Sequence, residues 1–117
     1  MNGVPDIDST DARLELMELF LRRTRAEVEQ MRRSVPKLIE GDDHAWRDLH
    51  SNSERISSMA AGLKLDVLSA HARELCDLAE GRQRREHTDT MFLLDITRAI
   101  EVVAIDLSQL FGSRSRR

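Results

Sequence analysis

Tyrosine is absent from this chain, and aromatic residues of all kinds make up only 3% of it. The core must therefore be built from Leu, Ile, Val, Met and Ala, a composition that favours helices over a sheet. The 117 residues have the length of one ordinary domain, which can hold a core without a metal or a disulfide. We therefore expect a single all-α domain.

Cysteine, long apolar segments and targeting signals are equally scarce. Cys76 is the only cysteine, so no internal disulfide can form. No apolar run approaches the roughly 20 residues that span a bilayer, and the start MNGVPDIDST has neither a basic stretch nor an apolar centre. These absences predict a cytoplasmic protein that does not enter a membrane.

Signatures of enzymes, metal sites and nucleic-acid binding are also missing. The sequence has no glycine-rich phosphate loop, CxxC pair or zinc-ligand spacing, so we expect no independent metabolic enzyme, no metal and no cofactor. A formal net charge of −3 argues against general binding to nucleic acid. Two basic clusters, RQRR at 82–85 and RSRR at 114–117, are interpreted as a solvated loop and a disordered tail.

Apolar residues recur at alternating spacings of three and four in four separate segments, which predicts four amphipathic helices. Four such helices with short connections pack neighbour against neighbour, so the expected fold is an antiparallel up-down four-helix bundle with a long first helix. Residues 1–9 lack the pattern and are predicted to be a flexible segment. Residues 10–111 are predicted to form the bundle, and residues 112–117 a basic tail.

Helix boundaries are expected at polar caps, glycines and one proline. Pro36 lacks a backbone donor and is predicted to end or kink the first helix near Ser34, with one further turn before Gly41. The other expected boundary residues are Ser9 or Thr10 before the first helix, Asp42 or Asp43 and Gly62 around the second, Gly81 after the third, and Thr88 or Asp89 before the fourth.

The second helix, WRDLHSNSERISSMAAGL at 46–63, is the most informative segment. Its apolar seam is narrow, and His50 and Glu54 lie beside that seam, one turn apart. The outer face carries several serines where Glu, Lys or Arg would be stronger helix formers. Small side chains beside a histidine indicate a surface that another molecule approaches closely.

The remaining histidines and the cysteine are interpreted as structural or plain surface residues. His44 and His87 are predicted to be ordinary surface residues, and His71 to be exposed or at the boundary of the core. A di-iron site would require Glu-x-x-His motifs, and none occurs in the sequence. Cys76 borders an apolar seam and is expected to serve packing.

A histidine on the flank of a bundle helix can carry a phosphoryl group, because neutral imidazole is a nucleophile and its phosphoramidate is labile enough to pass the group onward. Such a site needs only exposure, since the partner protein brings the Mg²⁺ and the aspartate. His50 is the candidate phosphohistidine on this argument.

Residues 12–111 resemble the histidine phosphotransfer (HPt) family of two-component phosphorelays. The resemblance lies in the order of the pieces: a long lead helix, a short link such as IEGDDHAWRDL, a histidine helix, and a Leu-rich helix like VLSAHARELCDLAE. In that family the active helix reads approximately His-x-Leu-Lys-Gly-Ser-Ala, followed by a Gly-Leu turn. The resemblance implies a module that docks the receiver domain of a response regulator, or a histidine kinase.

The local match to the family motif leaves two registers open. Alignment on the leucines of the third helix puts Glu54 in place of the phosphorylated histidine, whereas alignment on His50 puts Glu54 where the family has glycine. The module is thus either a phosphoryl carrier on His50 or an adaptor without phosphate; a generic four-helix interaction protein is the third interpretation. The predicted partner-binding residues are Arg47, His50, Ser51, Glu54, Ser57, Ser58 and Ala61.

A monomer is expected, because the four apolar seams can satisfy one another. Additional apolar residues on the first and fourth helices leave a dimer as the alternative. These residues are Leu16, Phe20, Val102 and Ile105.

Overall fold

The structure is a computed structural model that describes the backbone of residues 4–82 and 89–115, and the side chains of residues 12–82 and 89–112. The described backbone forms four α-helices and no strand, which confirms the predicted all-α four-helix bundle. The helices are α1 (Val4–Ile39), α2 (Asp43–Gly62), α3 (Asp66–Arg82) and α4 (Thr90–Ser115).

Each helix packs on its neighbours in the chain, and α4 closes the bundle by packing on α1. Within the described residues α1 does not approach α3 closely, nor does α2 approach α4, so these pairs lie diagonally across the bundle. None of the described helices is long and apolar enough to cross a membrane.

The core is built from one stripe of each helix, as the apolar spacing predicts. The indole of Trp46 on α2 stacks on Phe92 of α4 at 5.9 Å between ring centroids, so the diagonal helices meet through their side chains. Phe20 belongs to this core and is not available for a dimer contact. The largest fully buried side chains are Trp46, Leu21, Met31, Leu38, Leu49, Ile56, Leu68, Leu75, Ile96, Ile100, Val28 and Val103.

Two of the expected caps are present. The Asp42 carboxylate accepts a hydrogen bond from the Ala45 N–H at 3.1 Å, which starts α2 and lowers the pKa of Asp42. Asp89 accepts from the Phe92 N–H at 2.8 Å and starts α4 in the same way. The alternative cap Thr88 lies outside the described residues, as do His87 and most of the basic cluster at 82–85.

Pro36 does not end α1 near Ser34, because the helix continues to Ile39, which gives the further turn predicted before Gly41. The alternative of a kink at this position stays a prediction. The proline removes one backbone donor close to the end of the helix, where few hydrogen bonds remain to be lost. The Ser34 hydroxyl donates to the Met31 carbonyl at 2.8 Å, and the Trp46 Nε1–H donates to the Leu38 carbonyl at 3.1 Å. These bonds satisfy carbonyls in the last turns.

The other boundaries differ from prediction in detail. Gly62 is the last residue of α2, but the left-handed conformation that follows the helix is adopted by Lys64, with φ 63°. At the other ends, α1 begins at Val4 and α4 continues through Gly112 to Ser115. Residues 4–9 of the expected lead-in and residues 112–115 of the expected tail are therefore helical. A proline is tolerated in the first turn of a helix, and one glycine costs only about 1 kcal/mol within it.

Candidate functional site

The outward face of α2 is an accessible stripe of small and charged side chains, which we call the α2 face. Its members follow one another at spacings of four and three, on the side of the helix opposite the buried seam. All five are exposed, and each was predicted to bind a partner. They are Arg47, Ser51, Glu54, Ser58 and Ala61.

Ser57 does not belong to the α2 face, although it was predicted to. Its side chain is only 3% exposed, because it lies where α2 packs on α3. The Ser57 hydroxyl donates to the Ser69 carbonyl at 3.1 Å, and the Ser69 hydroxyl donates back to the Ser57 carbonyl at 2.9 Å. The small side chain of Ser57 therefore serves close packing between α2 and α3 rather than the approach of a partner.

His50 lies at the edge of the α2 face, on the side toward α3. Its side chain is 26% exposed, and its Nε2 atom lies 3.9 Å from a carboxylate oxygen of Glu80 on α3. Glu54, one turn further along α2, is fully on the accessible side. The structure thus places the glutamate, and not the histidine, in the middle of the small-residue surface.

Cys76 lies beneath the boundary between α2 and α3 and is buried. Burial raises the pKa of its thiol, while a hydrogen bond with Ser53 and the charge of Arg73 act in the opposite direction. The thiol therefore stays protonated and is a poor nucleophile. This placement agrees with the packing role predicted for Cys76.

A histidine–carboxylate pair between α3 and α4 was missed by sequence reasoning. The Nδ1 atom of His71 lies 2.5 Å from an Oδ atom of Asp106, and the side chains are 36% and 11% exposed respectively. Asp106 is the one clear sequence signal for this pair, since it interrupts the apolar run of α4 between Ile105 and Leu107. Its partner is 35 positions away, and helical periodicity carries no information at that distance.

The three described histidines differ in which ring nitrogen faces a carboxylate. In His44 and His50 it is Nε2, at 3.5 Å from Asp48 and 3.9 Å from Glu80. In His71 it is Nδ1, so the carboxylate favours the tautomer with a proton on Nδ1 and a lone pair on Nε2. His71 therefore has the orientation of a nucleophile or base. Its partly exposed side chain agrees with the exposed or boundary position predicted for it.

A shallow groove of about 300 Å³ lies beside this pair, between the start of α3 and the later turns of α4. It is walled mainly by apolar side chains of Leu65, Val67 and Leu110, with Asp106 as a charged group in its lining. Nowhere in the described part of the chain do three potential metal ligands come together.

Comparison with known proteins assigns no family to the chain. No family model matches it, and neither a curated protein nor a solved structure is significantly similar.

Proposed function

We propose that this protein is an HPt-like signalling module that docks a response-regulator receiver domain, or the corresponding part of a histidine kinase, through the α2 face. The observation that carries the proposal is the exposure of Ser51, Ser58 and Ala61 in one accessible stripe. These small side chains leave the backbone in the second half of α2 open to close approach on either side of Glu54. Arg47 and Glu54 supply charges that can set the register of a partner.

The adaptor form of this function, without phosphate on His50, has the better support. An incoming phosphoryl group would meet the Glu80 carboxylate near Nε2 of His50 and the Glu54 carboxylate one turn away, and like charges at such distances raise the barrier to transfer. The half-buried position of His50 also restricts in-line attack. Binding of a receiver without phosphoryl transfer requires no reaction at His50.

The docking test uses one bulky substitution on the α2 face and a matched one elsewhere. Ser58→Trp places an indole in the middle of the stripe and should abolish receiver binding in isothermal titration calorimetry. Arg33→Trp, at an exposed position of α1, should leave binding unchanged. If none of the receivers and kinases of the source organism binds the wild type, the proposal fails and a generic four-helix interaction protein remains.

Phosphoryl transfer is the second candidate function, and the geometry favours His71 over His50 for it. The Nε2 lone pair of His71 would attack the phosphorus of an acyl phosphate on a receiver aspartate. The N–P bond forms as the P–O bond to the aspartyl carboxyl breaks and the carboxylate leaves. Asp106 accepts the hydrogen bond of Nδ1–H and stabilises the positive charge that the ring gains. The Mg²⁺ for this step belongs to the receiver.

Incubation with a phosphorylated receiver separates these possibilities. Acid-labile label that is lost in His71→Ala but kept in His50→Ala would establish transfer to α3, and the reverse pattern would establish His50. Binding without label supports the adaptor. Under the adaptor interpretation Glu54→His restores an imidazole at the family's position, so a gain of label in this variant would confirm the register.

A further inference from the structure

The outward side of α4 carries several exposed apolar side chains. Exposed leucines also occur on α1, at Leu14, Leu16 and Leu19. Met91, Leu94 and Ile105 are 65%, 44% and 53% exposed, and Val102 is partly exposed between them. Since α4 also contributes Phe92, Ile96, Ile100, Val103 and Leu107 to the core, it carries apolar side chains on nearly all sides. A helix of this kind is normally covered on all sides. No described part of the chain covers the outer side.

The exposed stripe has a symmetric spacing. Its positions are 91, 94, 98, 102 and 105, so the intervals are three, four, four and three with Arg98 at the centre. Two such stripes aligned antiparallel bring Met91 of each copy to Ile105 of the other and Leu94 to Val102. Self-complementarity of this kind is the requirement for a two-fold symmetric interface. We call the five residues the α4 stripe.

Charge at the centre of the α4 stripe is consistent with the same arrangement. Arg98 and Asp95 lie on adjacent turns, both are exposed, and neither forms an ion pair with another described residue. In the antiparallel pairing, Arg98 of each copy comes within reach of Asp95 of the other. The positive charges of two arginines and the negative charges of two aspartates then cancel near the two-fold axis. The charges at the centre of the α4 stripe therefore do not oppose association.

We propose that a second copy of this chain covers the α4 stripe, through antiparallel α4 helices that cross at Arg98. The contact spans 14 residue steps, or about 21 Å of helix. One helix face on each side buries a total area at the low end of specific interfaces, roughly 1,200 Å². We expect an interface of this size to form a reversible dimer.

The dimer leaves the proposed docking site free. Because α2 lies diagonally across the bundle from α4, the α2 faces of the two copies point away from the interface. One dimer can then hold two partner domains at opposite ends. The inference does not depend on the proposed function, since a failure of receiver binding leaves the α4 contact unchanged.

Sedimentation velocity over a range of concentrations is the first test. Wild type should shift from monomer to dimer with rising concentration, and Leu94→Glu should stay monomeric because it places a carboxylate in the apolar contact. Leu19→Glu on α1, at another exposed leucine, should dimerise like wild type. A monomeric wild type at high micromolar concentration overturns the proposal, as does a dimer that Leu19→Glu disrupts and Leu94→Glu does not.

Cysteine cross-linking tests the register. Arg98→Cys lies on the two-fold axis, so this single variant should form a disulfide-linked dimer on mild oxidation. Met91→Cys and Ile105→Cys should not cross-link alone but should do so when mixed. The native Cys76 is buried, so wild type serves as the uncross-linked control. Efficient self-cross-linking of Met91→Cys would instead indicate parallel helices and would overturn the arrangement.

Discussion

The outward faces of α2 and α4 lie on opposite sides of the same bundle and differ in chemistry. The α2 face presents serine, alanine and two charges, whereas the α4 stripe presents methionine, leucine, valine and isoleucine around one arginine. Both helices contribute a complete inner stripe to the core, so neither outer face is needed for folding. The difference indicates two kinds of recognition: close approach to a backbone on α2, and burial of apolar side chains on α4.

The inner contacts of the two helices are equally different. α2 is held to α3 by the reciprocal Ser57–Ser69 hydrogen bonds, which demand small side chains and close approach. α4 is held to α1 and α3 by larger apolar residues, by the Arg32–Glu101 ion pair and by the His71–Asp106 hydrogen bond at its edges. A substitution should therefore be tolerated differently on the two helices, depending on which face it affects.

The largest effect is expected where α2 and α4 touch. Trp46→Ala removes the stacking on Phe92, the hydrogen bond to the Leu38 carbonyl and the contact with the Arg82 guanidinium, which lies 5.4 Å from the indole centroid. We expect the free energy of unfolding to fall by about 3–5 kcal/mol, as for other buried aromatic truncations. Urea denaturation measures this loss. Trp46→Phe should cost clearly less, because it keeps most of the stacked area.

A second effect separates the buried and exposed sides of α2. Ser57→Trp forces an indole between α2 and α3 and should destabilise the protein by about 3 kcal/mol. Ser58→Trp, one position further on the exposed side, should change the unfolding free energy by less than about 0.5 kcal/mol. Thermal unfolding of the two variants under identical conditions makes the comparison. Equal melting temperatures would contradict the burial of Ser57.

A smaller effect concerns the edge of α4 and depends on pH. The Arg32 guanidinium donates two hydrogen bonds to Glu101, at 2.8 and 2.5 Å, and lowers the pKa of that carboxyl. The unfolded-state pKa of a glutamate is about 4.3, and the folded-state pKa of Glu101 lies below it. The stabilisation by this pair is therefore fully present above the unfolded-state pKa and is lost as pH falls through the folded-state pKa. The side chains of Arg32 and Glu101 are 40% and 45% exposed, so the ion pair contributes about 1 kcal/mol or less to the free energy of unfolding.

Unfolding free energies of wild type and Glu101→Gln measure this contribution. The variant should be less stable at neutral pH, and the difference should disappear in acid once Glu101 is protonated in both states. A difference that persists unchanged at low pH would show that the pair acts through its shape and not through its charge.

The smallest effects on stability are expected from a polar substitution on the α4 stripe and an apolar substitution on the α2 face. Leu94→Gln and Ser58→Leu should each change the unfolding free energy of the monomer by less than about 0.5 kcal/mol. Measurements at low concentration, below the range of self-association, isolate this quantity. A loss well above that value for Leu94→Gln would mean that the α4 stripe supports the fold of the monomer itself.

Much of the fold could be predicted because helical periodicity is a local property. The spacing of Trp46, Leu49 and Ile56 identifies the buried side of α2 without knowledge of its neighbours. The caps Asp42 and Asp89 could be predicted for the same reason, since an N-cap contacts only the next three residues. Pro36 does not end α1 at Ser34, because a helix can lose one donor close to its end and continue for a further turn.

The candidate site could be predicted only in part. Five of the seven expected docking residues lie on one accessible face, because exposure on a helix follows from the same periodicity as burial. Ser57 and His50 were misplaced because the width of the buried stripe depends on how closely α3 approaches α2. The pairing of His71 with Asp106 was missed because it joins two helices whose relative rotation no local pattern encodes.

The sequence by itself determined four helices, the residues that face their common core and the polar caps that start two of them. These features depend on interactions within a few residues, where backbone geometry sets which side chains share a side. Only the tertiary structure decided that Ser57 serves packing, that Glu54 occupies the middle of the α2 face, and that a carboxylate from α4 orients His71. Each of these results from the rotation and spacing of neighbouring helices, which the packing of the whole core determines.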